Sequence, residues 1–328
     1  MSSTKENLVN RNLHYDLMRV GACFMVIIMH SPIPHAGWNS VFLSGISYFC
    51  APCIGLFIMI SGALLLNKQY VGGFNTKSFL KKRASKVVWP TVIWSILGYI
   101  LSNCGIKNSE NAILWFMFTI VGLYLLTPIL YRWIYLAKKR EIEFYLFLWF
   151  VSLCYPYLKS VIHINEGDTS WIYYFHGFVG YFILGYYLSK YELQRSLYVV
   201  LFILFLFFSI ALPILTFVSN LNVSFYSWFW YLSASVVLLC IVWWMFIKRI
   251  SIYLDGGRKA IEFLSKYSLG IYLIHVLVLR NVLWKISWIQ SLPGVLQVAV
   301  CSILTFVISL FFSWSISKLR FGKYIVGV

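Results

Sequence analysis

The strongest constraint on the fold of this chain is a series of apolar segments, each long enough to cross a lipid bilayer. A membrane-spanning helix needs about 20 predominantly apolar residues with few charges. Ten such segments recur along the 328 residues, and the connections between them are too short to form a second folded unit. They lie at residues 13–33, 41–67, 87–106, 113–136, 142–162, 171–189, 196–218, 227–247, 268–289 and 294–317.

These segments also restrict the secondary structure. In lipid every backbone polar group must be satisfied internally, so only helices and closed barrels can span a bilayer, and barrel strands are about half this length with alternating polarity. We therefore predict an all-α, polytopic integral membrane protein with about ten transmembrane helices, forming a single domain over residues 1–328. The composition agrees, since 61% of residues are hydrophobic and only 11% are charged.

The distribution of positive charge predicts the orientation in the membrane. A formal net charge of +17 is compatible with nucleic-acid binding, but the lysines and arginines lie mainly in the connections after the even-numbered segments. Cytoplasmic connections carry an excess of lysine and arginine, so we expect both termini on the cytoplasmic side of the membrane. Membrane lipids, and not nucleic acid, are the predicted surroundings.

Two ionisable residues in the first segment, DLMRVGACFMVIIMH, are the first candidates for function. Arg19 and His30 are eleven residues apart, a rotation of about 1100° that leaves both side chains within about 20° on one helix face. They are also ~16 Å apart along the axis, so we expect them to line one longitudinal channel, with Asp16 orienting the guanidinium. The alternative is that Arg19 reaches the inner headgroups and His30 the outer interface, without function.

A basic run on the predicted cytoplasmic side accompanies Arg19. The stretch KKRASK contains Lys82, Arg83 and Lys86. Two or three cations beside Arg19 would suit a cofactor that carries phosphates. The alternative is a patch that sets topology and contacts lipid headgroups.

A second histidine and arginine lie in the ninth segment, within SLGIYLIHVLVLR. His275 and Arg280 are about 140° apart on a helix, so at most one of them faces the predicted channel squarely. His275 is the better candidate, although a histidine among apolar residues is often a hydrogen-bonded structural group. Arg280 is expected to pack at the outer interface or to meet an anionic acceptor.

Residues on the predicted outer side can recognise an acceptor. Glu166 and Asp168 can accept hydrogen bonds from sugar hydroxyls or orient a catalytic imidazole, and Trp115 can stack on a sugar ring. Acidic residues in a solvated loop and a tryptophan in the aromatic belt are the plainer interpretations. The seven cysteines have no disulfide-scaffold spacing, and we predict no metal site.

Six blocks of the sequence together resemble the acyltransferase-3 family of polytopic membrane enzymes, in particular its short single-domain branch of surface-polysaccharide O-acyltransferases. The resemblance covers nearly the whole chain. One departure is the absence from LWFMFTIV of a glutamate that many members carry in this region, as is typical of the short branch. The matching blocks, in the order of the family, are DLMRVGACFMVIIMH, GLFIMISGALLL, FLKKRASKVVWP, LWFMFTIVGLYLLTPIL, GDTSWIYYFHGFVGYFILGYYL and SLGIYLIH.

The resemblance implies an enzyme that moves an acyl group, usually acetyl, from cytoplasmic acyl-CoA to a hydroxyl of a cell-surface polysaccharide or its lipid-linked precursor. By this resemblance His30 is the catalytic residue, as general base or as nucleophile, and Arg19 is its functional partner. Lys82 and Arg83 would help to bind the phosphates of the donor. Acetyl-CoA is thus the expected donor substrate.

Two other classes of protein fit parts of the pattern. Ten helices with buried cations would suit a transporter or flippase for a lipid-linked glycan, although the sequence lacks the inverted repeats and broken helices of many carriers. A membrane sensor or assembly subunit without catalytic activity is the third class. Only an enzyme would release CoA and label a glycan.

Overall fold

The computed structural model describes residues 12–33, 40–67, 73–104, 114–154, 177–218 and 230–328. Every regular element in these ranges is helical, as the apolar segments predict. The first seven α-helices are α1 (Leu13–His30), α2 (Ser40–Cys50), α3 (Cys53–Leu66), α4 (Thr76–Arg83), α5 (Trp89–Asn103), α6 (Trp115–Leu136) and α7 (Lys139–Leu153). The remaining ones are α8 (Val179–Lys190), α9 (Arg195–Leu206), α10 (Leu212–Val218), α11 (Ala234–Ile250), α12 (Arg258–Asn281), α13 (Ser287–Gln290), α14 (Gly294–Ser317) and α15 (Gly322–Val326).

Six helical rods within the described ranges are long and apolar enough to cross a membrane. The other four predicted segments contain shorter helices, and three of them, 142–162, 171–189 and 227–247, extend beyond the described residues. The count of ten spans and the side on which each terminus lies therefore stay predictions. The six rods are Leu13–His30, Gly45–Leu66, Thr76–Asn103, Trp115–Leu136, Asp255–Lys285 and Gly294–Ser317.

Local sequence explains where the long rods are interrupted. Pro52 lies between α2 and α3, and proline has no N–H to donate to a continuous helix. The π-helical turn Ala84–Val88 joins α4 to α5, and Asn75 caps α4 by accepting a hydrogen bond from the backbone N–H of Ser78 at 3.0 Å. A π-helical turn inserts extra residues into a helix and so changes the direction in which side chains project. Lys86 lies on this turn.

The centre of the helix assembly is built from α1, α3, α8, α12 and α14. The backbones of α3 and α8 approach most closely at two glycines. A Cβ added to Gly62 would lie 1.7 Å from the carbonyl oxygen of Phe182, and one added to Gly185 would lie 1.9 Å from that of Met59. Small residues permit such close helix packing in membranes. Helix α1 packs against α3 on one side and against α12 and α14 on the others. This packing brings Arg19 and His30 next to residues 265–275.

The outward faces of the peripheral helices expose large apolar side chains. Leu136 is 81% exposed, Ile129 67% and Val199 63%. A soluble protein rarely carries so continuous an apolar surface, whereas a bilayer covers it without cost. The long apolar helices and this surface make the chain an integral membrane protein.

Candidate active site

Arg19 is held in place by a hydrogen-bonded group that joins α1 to α12. The Ser265 hydroxyl donates to Asp16 Oδ1 at 2.6 Å, and Arg19 Nη1 donates to Ser265 Oγ at 3.2 Å. Arg19 Nη1 also lies 3.6 Å from Asp16 Oδ1, one helical turn away. Asp16 is buried, and a buried carboxylate needs polar partners, which Ser265 and Arg19 supply. The carboxylate in turn orients the guanidinium. The sequence predicted the partnership of Asp16 with Arg19 but gave no sign of Ser265.

Arg19 lines a cavity of about 420 Å³, which we call the Arg19 cavity. Three further cationic side chains, Arg83, Lys86 and Lys266, also line it. No carboxylate side chain occurs among the described residues of its wall. A concave site whose wall side chains carry four positive charges attracts an anionic ligand. Its other polar wall residues are the hydroxyl-bearing Ser61, Tyr124, Ser265, Ser268 and Tyr272.

Aromatic rings hold the Arg83 guanidinium in the wall of the Arg19 cavity. The guanidinium carbon lies 5.5 Å from the centroid of the Phe79 ring and 5.5 Å from that of Tyr124, within the range of cation–π attraction. Arg83 Nε is buried and has no hydrogen-bond partner in the described structure. A buried N–H donor without a partner is costly, and a ligand oxygen would satisfy it.

Of the predicted donor-binding cations, Lys82 is not part of this wall. Lys82 is exposed on α4 and does not line the Arg19 cavity, whereas Arg83 and Lys86 do. Successive residues of a helix project about 100° apart, so Lys82 and Arg83 cannot both face one cavity squarely. Lys266 lines the cavity instead, because α12 packs beside α1. In the sequence it is one of the basic residues that predict the orientation in the membrane, with no other role.

His30 and His275 lie side by side, and we call them the histidine pair. Their ring centroids are 5.5 Å apart and the ring planes make an angle of 44°. His275 is fully buried, and its Nδ1–H donates a short hydrogen bond to the Tyr272 carbonyl oxygen. A carbonyl oxygen can only accept, so this bond assigns the proton to Nδ1 and leaves Nε2 of the neutral ring as an acceptor. His275 Nε2 has no partner in the described structure.

A layer of aromatic side chains separates the histidine pair from the Arg19 cavity. Tyr272 and Phe116, which we call the aromatic layer, both line the cavity, and their ring centroids are 5.3 Å apart. Beyond this layer, Tyr272 contacts His275 at a centroid distance of 5.5 Å. His30 is not among the described residues that line the cavity. The Arg19 cavity therefore includes the aromatic layer in its wall but does not reach His30, and this cavity by itself is not the channel that the sequence predicts for Arg19 and His30.

The remaining predicted residues have different surroundings. Arg280 lies over the ring of Trp284, 5.5 Å from its centroid, and the Trp284 indole donates to the Ser31 carbonyl oxygen at 3.2 Å. Since Ser31 follows His30 directly, this contact places Arg280 at the same end of the site as the histidine pair. Trp115 stacks on Tyr231 at 5.4 Å, so one face of its ring is already covered by protein. Glu166 and Asp168 lie outside the described residues.

The described part of the chain contains no group of three or more His, Cys, Asp or Glu side chains that could hold a metal ion. The polar groups that it does bring together are cations, hydroxyls and two imidazoles. Cations can bind phosphates, and an imidazole can accept a proton or attack a carbonyl carbon. The arrangement suits acyl transfer from a phosphate-bearing donor.

Comparison with known protein families identifies the family of this chain. The model of a family described as an acyltransferase domain, acyltransferase-3, matches residues 12–314. This range includes Arg19, the histidine pair and every cation of the Arg19 cavity. No curated protein and no solved structure matches the chain.

Proposed function

Because this chain belongs to the acyltransferase-3 family and is a membrane acyltransferase, we propose that it transfers an acetyl or other short acyl group from cytoplasmic acyl-CoA to a hydroxyl of a surface glycan. The acceptor is a cell-surface polysaccharide or its lipid-linked precursor in the bacterial inner membrane. The observation that carries this proposal is the juxtaposition of a four-cation cavity with a pair of histidines across a single aromatic layer.

The Arg19 cavity is the proposed donor site. CoA carries three phosphoryl groups on its nucleotide, and the cations of the wall supply the complementary charge. The volume of about 420 Å³ lies in the range of small-ligand pockets. Phosphates bound near Lys86 and Lys266, which are both exposed, leave the pantetheine arm to extend past Arg19 toward the aromatic layer. The thioester then lies on the same side of Tyr272 as Arg19.

His30 is the proposed catalytic residue, by one of two routes. As a general base it takes the proton of the sugar hydroxyl while the oxygen attacks the thioester carbonyl; the C–S bond breaks and CoA leaves as a thiol after protonation. As a nucleophile its ring nitrogen attacks the thioester and releases CoA, and the sugar hydroxyl then displaces the imidazole from the acyl group. Both routes need a neutral imidazole and both yield one glycan ester and one CoA.

His275 is the proposed positioning residue for His30. Two imidazoles joined by an N–H···N hydrogen bond have ring centroids about 5 Å apart, close to the 5.5 Å between His30 and His275. Nε2 of His275, with its proton held at Nδ1 by the Tyr272 carbonyl, can accept the N–H of His30. His275 Nε2 has no partner among the described residues, and once the bond forms it directs the lone pair of the other His30 nitrogen toward the reactants, as the second residue of a catalytic group does.

Either route requires the aromatic layer to let the thioester meet His30. Tyr272 and Phe116 separate the two halves in this structure, so a side-chain rotation of one ring is part of the proposed reaction. Between turnovers the same rings keep the thioester apart from the imidazole of His30, which could otherwise activate water for its hydrolysis.

The test uses purified protein in detergent or liposomes with radiolabelled acetyl-CoA and isolated surface polysaccharide. The proposal predicts release of CoA and label in the glycan, with mass spectrometry locating an ester on one hydroxyl. A glycan transporter or a sensor would do neither. Folded protein that neither binds CoA nor labels any glycan isolated from its own cell envelope contradicts the proposed function.

A further inference from the structure

The last short helix contributes to the Arg19 cavity from outside the motifs that the sequence analysis singled out. Residues 327 and 328, which follow α15, line the cavity together with Lys86. The segment is anchored on two sides. The Trp94 indole of α5 donates to the Ile325 carbonyl oxygen at 3.0 Å, and Val326 is completely buried. Residues 327 and 328 therefore form part of the cavity wall with Lys86, and the anchored residues 325 and 326 hold them in place.

Gly327 makes the closest approach of this segment to the wall of the cavity. Its backbone is left-handed, with φ +69°, a conformation that favours glycine. A Cβ at this position would lie 2.7 Å from the Lys86 carbonyl oxygen and 2.4 Å from Leu269 Cδ2. Leu269 also lines the cavity. Any side chain at residue 327 must displace the backbone of Lys86, the side chain of Leu269, or both.

The backbone that Gly327 touches belongs to an irregular part of the donor site. Lys86 lies in the π-helical turn Ala84–Val88, which departs from the regular hydrogen-bond pattern of the α-helices on either side. The position of this turn sets the direction in which the Lys86 side chain projects, so a contact to its backbone bears on that direction. Gly327 supplies such a contact to the carbonyl of that residue.

We propose that residues 322–328 clamp the π-helical turn that carries Lys86, and that Gly327 is a positioning residue for recognition of the phosphates of the donor. This inference rests on the proposed function, because it assigns the donor to the Arg19 cavity. It adds a new segment to the determinants of donor affinity. In the sequence this segment lies more than 230 residues from Lys86. Displacing the turn should weaken donor binding and leave the chemistry at His30 unchanged.

Gly327→Ala in the full-length protein tests this, with Gly73→Ala as the matched control. Gly73 also has positive φ, +92°, but a Cβ there would meet nothing within 4 Å, and Gly73 is not part of the cavity wall. We expect Gly327→Ala to raise the KM for acetyl-CoA and the Kd for CoA roughly tenfold, because displacement of Lys86 removes one charge-assisted contact to the donor. The KM for the glycan and kcat at saturating donor should not change, and Gly73→Ala should match the parent protein.

Two results would overturn the clamp: an unchanged donor KM in folded Gly327→Ala, or a parallel fall of all kinetic parameters, which indicates a general structural role. If Gly327→Ala does not fold, Trp94→Phe decides by the same criteria. It removes the hydrogen bond to Ile325 together with part of the indole ring that packs beside the segment, and it should raise the donor KM roughly two- to threefold. A parent protein that binds no CoA contradicts the proposed function instead of the clamp.

Discussion

The two halves of the site differ in charge and in access to water. The Arg19 cavity has four cations in its wall, and two of them, Lys86 and Lys266, are exposed. The histidine pair has one fully buried ring, His275, and lies behind the aromatic layer. Charges that only bind a ligand can remain hydrated without large cost, whereas electrostatic effects on a reacting group are stronger where water is excluded. We therefore expect mutations in the Arg19 cavity to change donor binding alone, and mutations in the histidine pair to change the chemical step alone.

The largest expected effect comes from removing the reacting imidazole. His30→Ala should lower kcat by roughly 10²- to 10⁴-fold, the usual contribution of a general acid or base, while the Kd for CoA stays at the parent value. His14→Ala is the matched control, because this second imidazole of α1 is half-buried and lies outside both halves of the site. Full turnover by folded His30→Ala protein, measured as transfer of labelled acetyl to glycan, would exclude His30 as the catalytic residue.

A smaller effect on the same half should follow from changes at His275. His275→Ala should lower kcat about 10- to 100-fold, because His30 loses the acceptor that orients it, and donor affinity should not change. Two milder variants separate orientation from packing. His275→Gln can place an acceptor near the former Nε2 and should keep more activity than His275→Asn, which can restore only the bond to the Tyr272 carbonyl. Equal activities of the two would indicate that His275 acts on structure alone.

The smallest expected effect on activity comes from a mutation in the other half of the site, the Arg19 cavity. Arg19→Ala should raise the KM for acetyl-CoA about tenfold with a much smaller change in kcat, since one of four cations is lost and the others remain. Arg132→Ala provides the comparison, because Arg132 is an exposed arginine of α6 outside the cavity wall. A fall in kcat without a change in donor KM would place Arg19 with the chemistry and abolish the distinction between the two halves.

The features of the fold and the site that depend on a single helix could be predicted from the sequence. Apolar segments predicted an all-helical membrane protein, which the helices of the described ranges confirm. The family also agrees with the resemblance of the six sequence blocks. Residue spacing placed Asp16 one turn from Arg19, because a regular helix fixes the relative direction of its own side chains.

The rest depends on which helix faces meet, and spacing within one helix does not determine that. Ser265 bonds to residues of α1 that are almost 250 positions away in sequence. Tyr272 of α12 meets Phe116 of α6 in the wall of the Arg19 cavity, at a ring-centroid distance of 5.3 Å. Gly327 reaches Lys86 through the packing of α15 on the π-helical turn. No periodic pattern marks these residues, so only the assembled helices reveal their positions.

The central claim is that the Arg19 cavity holds the donor on the opposite side of Tyr272 from the histidine pair. Ser61→Cys tests it most directly, because Ser61 lies in the cavity wall and the change is nearly isosteric. Alkylation of the introduced thiol can be followed by peptide mass spectrometry, independently of the seven native cysteines. At an acetyl-CoA concentration of about ten times Kd, without glycan, we predict a roughly tenfold slower alkylation; acetyl-CoA is used because the free thiol of CoA would itself consume the reagent. An unchanged rate in a protein that still turns over acetyl-CoA would show that the donor binds elsewhere.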